Sequence, residues 1–217
     1  MGPRALERAA GGGRLNAPLI LAMTPFDEAA NLGAAYNRAM ALLPDDGWAV
    51  MLDHDAALTT REWHRQIAEA IAFKPDAGAF VACTNRIAAP WQQVGDRNNH
   101  DMVHHRAFGA ERLKLRTLLD VTDTQGFGGV GFAISKRTWN RIGGAPDGML
   151  CVDHHIHFRC RKAGLRVFLL EGWYLYHWRR GPLANGEADN LPRDTPRAAD
   201  CPCRGPEKTP TVRIHLP

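Results

Sequence analysis

Short apolar runs alternate with amphipathic stretches through the middle of the chain. Apolar runs bounded by turn residues predict buried strands at residues 19–23, 48–53, 78–84, 129–135, 165–170 and 173–177. Apolar residues at helical spacing predict helices at residues 31–43, 59–74, 136–142 and 153–163. Thr59 followed by Glu62 has the spacing of a capping box, which predicts that the second helix begins at Thr59. Strands that alternate with helices predict an α/β fold with a mostly parallel central sheet.

Both ends of the chain lack this pattern. Residues 1–16 are rich in glycine and arginine, and residues 181–217 contain 7 of the 14 prolines. We interpret the first stretch as a flexible segment and the last as a flexible or poorly packed tail. One folded domain is therefore predicted at residues 17–180, with a polar, irregular stretch at residues 85–128.

The composition of the chain limits its possible binding partners and its possible location in the cell. The net charge is +4 and the basic residues are spread along the 217-residue chain, which does not favour nucleic acid as a partner. No apolar run approaches the roughly 18 residues of a membrane span, so no transmembrane segment is predicted. The first residues lack the apolar stretch of a signal peptide. The five cysteines do not have the pattern of a disulfide framework, and we predict a reducing, cytoplasmic location.

The triplet Asp53-His54-Asp55 is the first candidate for chemistry. It ends the apolar run that begins at Trp48, at the carboxyl end of a predicted strand, where open α/β sheets bind ligands. On an extended backbone both carboxylates would point to one face, about 7 Å apart, with His54 on the other face. Neighbouring carboxylates repel each other, and a hard divalent cation that also holds a phosphate would relieve the repulsion. Such triplets are also common on loops, so further motifs are needed.

The surrounding motifs resemble those of GT-A glycosyltransferases, and most closely the large family 2 group of nucleotide-sugar transferases. The matching stretches are the end of the first strand (residues 23–27), the helix and Asp-x-Asp strand (31–38 and 51–55), the acceptor-side strand and turn (128–135, 139 and 142–144), the helix start with its acidic residue (152–159 and 163–164), and Tyr176-His177. The resemblance covers residues 18–180 and implies a single GT-A-like (Rossmann-like) domain, similar to compact phage and bacterial members. Only one helix precedes Asp53 where the family usually has two strands and two helices, which implies a shortened nucleotide-binding half.

The resemblance implies a glycosyltransferase of the hexosyltransferase type. It would move a sugar from a UDP- or GDP-sugar to a hydroxyl of a glycan or other acceptor, with inversion. Mn²⁺ or Mg²⁺ would be held by Asp55, His177 and Asp53, with Asp53 also contacting ribose or sugar hydroxyls. An imidazole ligand favours Mn²⁺. Asp153 would be the general base, and its alternative role is N-cap or dipole complement at a helix start.

Two further sets of residues follow from the same resemblance. The donor-side residues are Thr24, Phe26, Asp27, Arg38, Asp53, His54 and Arg179. The acceptor-side residues are Gly129, His157, Asn99, His100 and Asp101. A solvated helix face is the alternative for Arg38. His157, one helical turn after Asp153, would orient that carboxylate or reach the acceptor.

Three other functions stay open at this point. If helical, His100 with His104 and Asp101 with His105 are i, i+4 pairs that can bind zinc. A nucleotidyltransferase can also use such a sheet with paired carboxylates, although residues 23–27 lack the Gly-rich basic signature that usually follows its first strand. The shortened first half is also consistent with a non-catalytic, degenerate transferase that binds nucleotide or glycan.

Overall fold

The computed structural model describes residues 18–178, 210 and 212–216. Its strands are β1 (Ile20–Met23), β2 (Trp48–Leu52), β3 (Ala56–Leu58), β4 (Ala79–Thr84), β5 (Thr117–Asp120), β6 (Gly131–Ser135), β7 (Val167–His177) and β8 (Val212–His215). Its α-helices are α1 (Leu32–Ala41), α2 (Trp63–Phe73), α3 (Met102–Arg112), α4 (Lys136–Ile142) and α5 (Val152–Lys162). None of the helices in this described part is long and apolar enough to cross a membrane.

The strands form one open, mixed sheet. Across the described residues their order is β1-β2-β6-β4-β7-β5-β8, with β3 paired to β7 off this path. The β1–β2 and β4–β7 pairings are parallel, and the other five are antiparallel. The α/β class is confirmed, but the prediction of a mostly parallel sheet is wrong. An apolar run predicts a strand without its direction, so nothing in residues 129–135 reveals that β6 runs antiparallel between β2 and β4.

Two hydrophobic clusters bury the sheet on both faces. One cluster includes Tyr36 of α1, Trp139 of α4 and Ile156 of α5 together with side chains of the sheet. The other includes Ile67 and Ile71 of α2 on the opposite face. Side chains of β2 and β4 alternate between the two clusters, as the two-residue period of a strand requires. The continuous apolar runs of these strands therefore reflect burial on both faces.

The second helix begins at Trp63 rather than at Thr59, so the predicted capping box is wrong. The Thr59 hydroxyl instead donates to the carbonyl oxygen of Tyr174 at 2.7 Å. Glu62 takes the N-cap position without a side-chain hydrogen bond. Because β3 pairs with β7, Thr59 lies beside a strand that is distant in sequence, and a local spacing rule cannot show this contact.

Three elements lie inside residues 85–128, the stretch predicted to be irregular. These are α3, β5 and a short 3-10 helix at Pro90–Gln92. The periodicity of α3 is weak because its buried face consists only of His105 and Gly109. The runs predicted as separate strands at residues 165–170 and 173–177 form one strand, β7, whose pairing with β4 shifts register between Ala82 and Cys83.

Part of the predicted C-terminal tail packs against the sheet. Strand β8 pairs antiparallel with β5, and Leu216 lies in the cluster that contains α2. Arg213 forms an ion pair with Glu171 at 2.7 Å. For residues 212–216 the prediction of a flexible tail is therefore wrong. The predicted N-terminal segment, residues 1–16, and residues 179–209 lie outside the described part of the chain.

Two asparagines of α1 fix the loop between α4 and α5. Asn37 donates to the carbonyl oxygen of Ala145 and accepts from its N–H, each at 3.0 Å. Asn31, the N-cap of α1, accepts from the N–H of Gly148 at 3.0 Å. The N–H of Gly33 donates to the carbonyl oxygen of Gly148, also at 3.0 Å. The backbone of α1 and of this loop therefore lie in direct contact.

The close approach at Gly33 predicts a large effect of Gly33→Ala. A Cβ atom at Gly33 would lie 1.7 Å from the carbonyl oxygen of Pro146, which is backbone and cannot rotate away. We expect a loss of about 1–3 kcal/mol in the free energy of unfolding, measured by urea denaturation. Gly47→Ala is the control, since its nearest atom would lie 3.1 Å away, and it should change stability by less than about 1 kcal/mol. Equal stability of the two variants would contradict the packing.

Candidate active site

A cleft of about 460 Å³ opens at the carboxyl end of β2. Its walls come from the segment before α1, the turn after β2, the loop before β6 and the start of α5. The lining residues on which the chemistry depends are Phe26, Asp27, Tyr36, Asp53, His54, Asp55, Gly129 and Asp153. Apolar side chains of Pro25, Leu32, Met149 and Leu150 complete the wall. The location agrees with the predicted ligand site at the carboxyl end of a strand.

The chain turns directly after β2. The N–H of Asp53 donates to the carbonyl oxygen of Val130, and the N–H of Ala56 donates to the carbonyl oxygen of Asp53, both at 3.1 Å. His54 and Asp55 are therefore turn residues, and the predicted extended backbone through the triplet is wrong. The turn leads the chain into β3 and so to its pairing with β7. Because of this turn, Asp55 lies beside the end of β7.

Three predicted metal ligands converge at this turn. Asp53, Asp55 and His177 each offer one ligand atom, and these atoms lie within 4.8 Å of one another. The Nε2 atom of His177 is 3.2 Å from Oδ1 of Asp55. Two carboxylate oxygens and one imidazole nitrogen form a donor set that suits Mn²⁺ or Mg²⁺, with the imidazole favouring Mn²⁺.

The loop after β4 orients the ring of His177. Nδ1 of His177 lies 2.6 Å from the carbonyl oxygen of Arg86 and donates its proton to that oxygen. The backbone N–H of His177 donates to Oδ1 of Asn85 at 2.8 Å. Nε2 therefore faces the carboxylates, as metal-binding histidines require. Sequence reasoning missed Asn85 and Arg86, since nothing in their local pattern links them to residue 177.

The two carboxyl groups of the triplet differ electrostatically. Burial raises the pKa of Asp53 from 3.8 to about 6, and the nearby Asp55 and Asp153 add to that effect while His177 opposes it. Burial also acts to raise the pKa of Asp55, but the hydrogen bond and charge of His177 outweigh it and leave that pKa lowered. The pKa of His177 is raised, because the contacts with Asp55 and Arg86 outweigh the effect of burial. Asp55 and His177 thus form an ion pair, while ionised Asp53 is the unfavourable charge.

Asp153 is held at the start of α5 and lines the same cleft as Asp53. Oδ2 of Asp153 accepts from the N–H of Gly129 at 2.7 Å, and Oδ1 accepts from the N–H of His154 at 2.9 Å. The N-cap of α5 is Cys151, in a left-handed conformation with φ of 68°, so the alternative prediction of Asp153 as N-cap is wrong. Asp153 lies in the first turn, where the helix dipole favours a negative charge.

Tyr36 of α1 is a buried residue whose hydroxyl reaches the cleft. A Cβ atom at Gly129 would be 3.4 Å from both the Tyr36 hydroxyl and Oδ2 of Asp153, so these two groups flank the same space. Burial, followed by the charges of Asp53 and Asp153, raises the pKa of Tyr36 well above its ordinary value. The group is therefore a neutral hydroxyl that can donate a hydrogen bond. Helical periodicity predicts that Tyr36 is on the buried face of α1, but it does not predict where the hydroxyl lies.

The predicted donor-side residues divide into two groups. Phe26, Asp27 and His54 line the cleft, whereas Thr24 and Arg38 do not. Arg38 donates to the carboxylate of Asp27 at 2.7 Å and to the carbonyl oxygen of Phe26 at 3.2 Å. Arg38 thus fixes the strand-to-helix segment, and its side chain is largely exposed, as in the alternative of a solvated helix face. Arg179 lies outside the described residues.

Gly129 and His157 differ in their relation to the cleft. Gly129 lines it. His157 is fully buried, and its Nε2 donates to the carbonyl oxygen of Thr122 at 3.0 Å. Burial lowers the pKa of His157 to about 4, so the ring is neutral. The prediction that His157 contacts the acceptor is wrong, because α5 turns this position into the core.

Asn99, His100 and Asp101 do not line the cleft. Asp101 is the N-cap of α3, with its side chain accepting from the N–H of Val103 at 2.8 Å. His100 is 2.9 Å from the hydroxyl of Tyr176. These contacts anchor the loop before α3 to the end of β7.

The zinc alternative finds no support. Among the described residues, the group at Asp53, Asp55 and His177 is the one set of three metal-binding side chains with suitable spacing. Nδ1 and Nε2 of His105 are already engaged, with the Tyr174 hydroxyl at 2.7 Å and the carbonyl oxygen of Asn99 at 2.9 Å.

Comparison of the sequence with protein-family models and with curated protein sequences gave no match. The resemblance to GT-A glycosyltransferases therefore stays a prediction from motifs, and the geometry of the cleft carries the functional argument.

The raised pKa of Asp53 predicts a stabilising substitution. Because the folded pKa lies above the ordinary value, ionisation of Asp53 opposes folding, and its unfavourable contribution develops as the pH rises from 3.8 to about 6. In metal-free protein, Asp53→Asn should raise the melting temperature at pH 8, by about 2–4 °C per kcal/mol gained, and by less at pH 4.5. Thermal unfolding with chelator present measures both. Exposed Asp76→Asn is the control, and equal shifts in the two variants would contradict the assignment.

Proposed function

We propose that this chain is a metal-dependent glycosyltransferase of the hexosyltransferase type that uses a UDP- or GDP-sugar donor. The observation that carries the proposal is the convergence of Asp53, Asp55 and His177, with ligand atoms within 4.8 Å of one another, beside a cleft that Asp53, Asp55 and Asp153 line. A cation can stabilise a departing diphosphate and a separate carboxylate can accept the proton of the acceptor hydroxyl, which are two tasks of glycosyl transfer.

Asp55, His177 and Asp53 would hold Mn²⁺ or Mg²⁺. Bound there, the cation would neutralise the charge that develops on the departing diphosphate. The charged groups of the described lining residues are the carboxylates Asp27, Glu28, Asp53, Asp55 and Asp153. Such a lining repels a phosphate, so donor binding in this cleft would depend on the cation.

Asp153 would take the proton of the acceptor hydroxyl. Its two hydrogen bonds from backbone N–H groups fix the carboxylate and leave further lone pairs on both oxygens. The acceptor oxygen loses its proton to Asp153 and forms a bond to the anomeric carbon, while the bond from that carbon to the phosphate oxygen breaks. Attack opposite the leaving group inverts the anomeric centre. The neutral Tyr36 hydroxyl beside Asp153 is a donor for a sugar hydroxyl in the same space.

A non-catalytic protein that binds nucleotide or glycan is the second candidate. It is favoured by the position of β1, which is the edge of the sheet in the described residues and is joined to β2 by α1 alone. The wall that would contact a nucleobase is therefore short. Such a protein would bind a donor with metal but would neither hydrolyse nor transfer it.

We also propose a cytoplasmic location. Cys83 and Cys160 are buried free thiols, as expected in a reducing compartment.

A thermal-shift screen of UDP- and GDP-sugars tests the proposal. With Mn²⁺, the matching donor at 100 times its Kd should add about 2.7 kcal/mol to stability, and without Mn²⁺ it should add little. Asp55→Ala should remove the response, because it deletes a ligand and the partner of His177. No Mn²⁺-dependent response in the wild type, together with an unchanged response in Asp55→Ala, would overturn the proposal. Binding without hydrolysis or transfer would favour the non-catalytic alternative.

Asp153→Asn separates the base from the metal centre. The substitution should lower kcat by about 100- to 10,000-fold, since general-base catalysis is lost. The stabilisation by Mn²⁺ should stay within experimental error of wild type. Exposed Asp123→Asn controls for the loss of one charge. Wild-type turnover in Asp153→Asn would exclude Asp153 as the base.

A further inference from the structure

The backbone of Arg86 selects one tautomer of His177. The carbonyl oxygen of Arg86 lies 2.6 Å from Nδ1 of His177. A carbonyl oxygen can only accept, so Nδ1 carries the proton and Nε2 is left for the cation. The exact position of this carbonyl therefore controls which imidazole nitrogen faces Asp55.

The side chain of Arg86 is buried and connects three segments behind the candidate metal centre. Its guanidinium donates to the carbonyl oxygen of Trp178 at 3.2 Å and to the carbonyl oxygen of Arg97. It also lies 3.0 Å from Nε2 of His100. Arginine has no acceptor, so His100 accepts at Nε2 and donates from Nδ1 to the Tyr176 hydroxyl at 2.9 Å. One guanidinium thus joins the loop before α3 to the end of β7.

The residues around His177 are held on both sides by this connection. The N–H of Trp178 donates to the carbonyl oxygen of Asp55 at 2.9 Å, while its carbonyl oxygen accepts from Arg86. The backbone next to His177 is therefore tied to a metal ligand on one side and to Arg86 on the other.

We propose that Arg86 is a positioning residue for the candidate metal centre, whose planar fork of donors holds its own carbonyl in place to orient His177. The inference rests on the metal site of the proposed function. The charge of Arg86 and its effect on the orientation of His177 would change the affinity for a cation in opposite directions. A buried guanidinium near a cation repels it and weakens binding, whereas an oriented imidazole strengthens binding.

Arg86→Lys separates the two effects, because it keeps the charge and loses the planar fork. We expect the Kd for Mn²⁺, measured by titration calorimetry without nucleotide, to rise by about 10- to 100-fold. In a His177→Ala background the same substitution should change the Kd by less than about two-fold, since the effect passes through His177. A general structural defect would weaken binding equally in both backgrounds.

If Arg86→Lys folds poorly, the variant His100→Ala and an NMR measurement without metal can still test the proposal. His100→Ala removes one acceptor from an exposed position and should weaken Mn²⁺ binding in the same direction, by less than Arg86→Lys. Nitrogen-15 NMR of the metal-free protein, followed upward in pH until His177 has lost one ring proton, should show the Nδ1–H tautomer in the wild type and mixed tautomers in both variants.

An unchanged tautomer with an unchanged Kd, or equal losses in the two backgrounds, would overturn the role of Arg86. Tighter Mn²⁺ binding in Arg86→Lys would overturn it as well. A wild-type protein that binds no Mn²⁺ would overturn the proposed function instead, and the tautomer measurement would then decide the role of Arg86.

Discussion

The contact between Asp55 and His177 is the interaction on which the candidate site depends. Asp55 follows β2, and His177 is the last residue of β7. These two strands are separated in the sheet by β6 and β4. The turn after β2 and the pairing of β3 with β7 carry Asp55 across that distance. Without His177, Asp53 and Asp55 would lose the neighbour that most favours their charged forms. The imidazole lowers the pKa of Asp55, whereas burial leaves the pKa of Asp53 raised.

The two carboxylates of one triplet therefore have different physical tasks. Asp55 is paired with His177 and would exchange part of that contact for the proposed cation. Asp53 has a pKa of about 6 and gains most from a positive charge. A cation would relieve the unfavourable charge at Asp53 and replace a proton at His177, so its binding should release protons to solvent. With the proposed cation bound, the acidic lining would no longer repel a phosphate.

Sequence patterns predicted the outline of the fold and the residues of the triad, but not how they are held. Long apolar runs located β2 and β4, because burial on both faces leaves a continuous signal. Strand direction, the start of α2 and the presence of α3 depend on contacts between distant segments, and those predictions failed. The same reason explains the errors at His157, which helix rotation buries, and the omission of Asn85 and Arg86, whose partners lie at the end of β7. The motif order joined Asp53 and Asp55 to Asp153 and His177, which periodicity alone could not do.

The pairing of Ala56 with His177 also constrains the order of assembly. Asp55 follows β2 and His177 ends β7, so the group of candidate ligands is a contact of long sequence separation. Such contacts form late in folding, because a long loop must close before they contribute. During synthesis the acidic turn leaves the ribosome well before its imidazole partner. A folding intermediate without β7 would therefore carry the two carboxylates without His177, and full affinity for a cation would mark completion of the sheet.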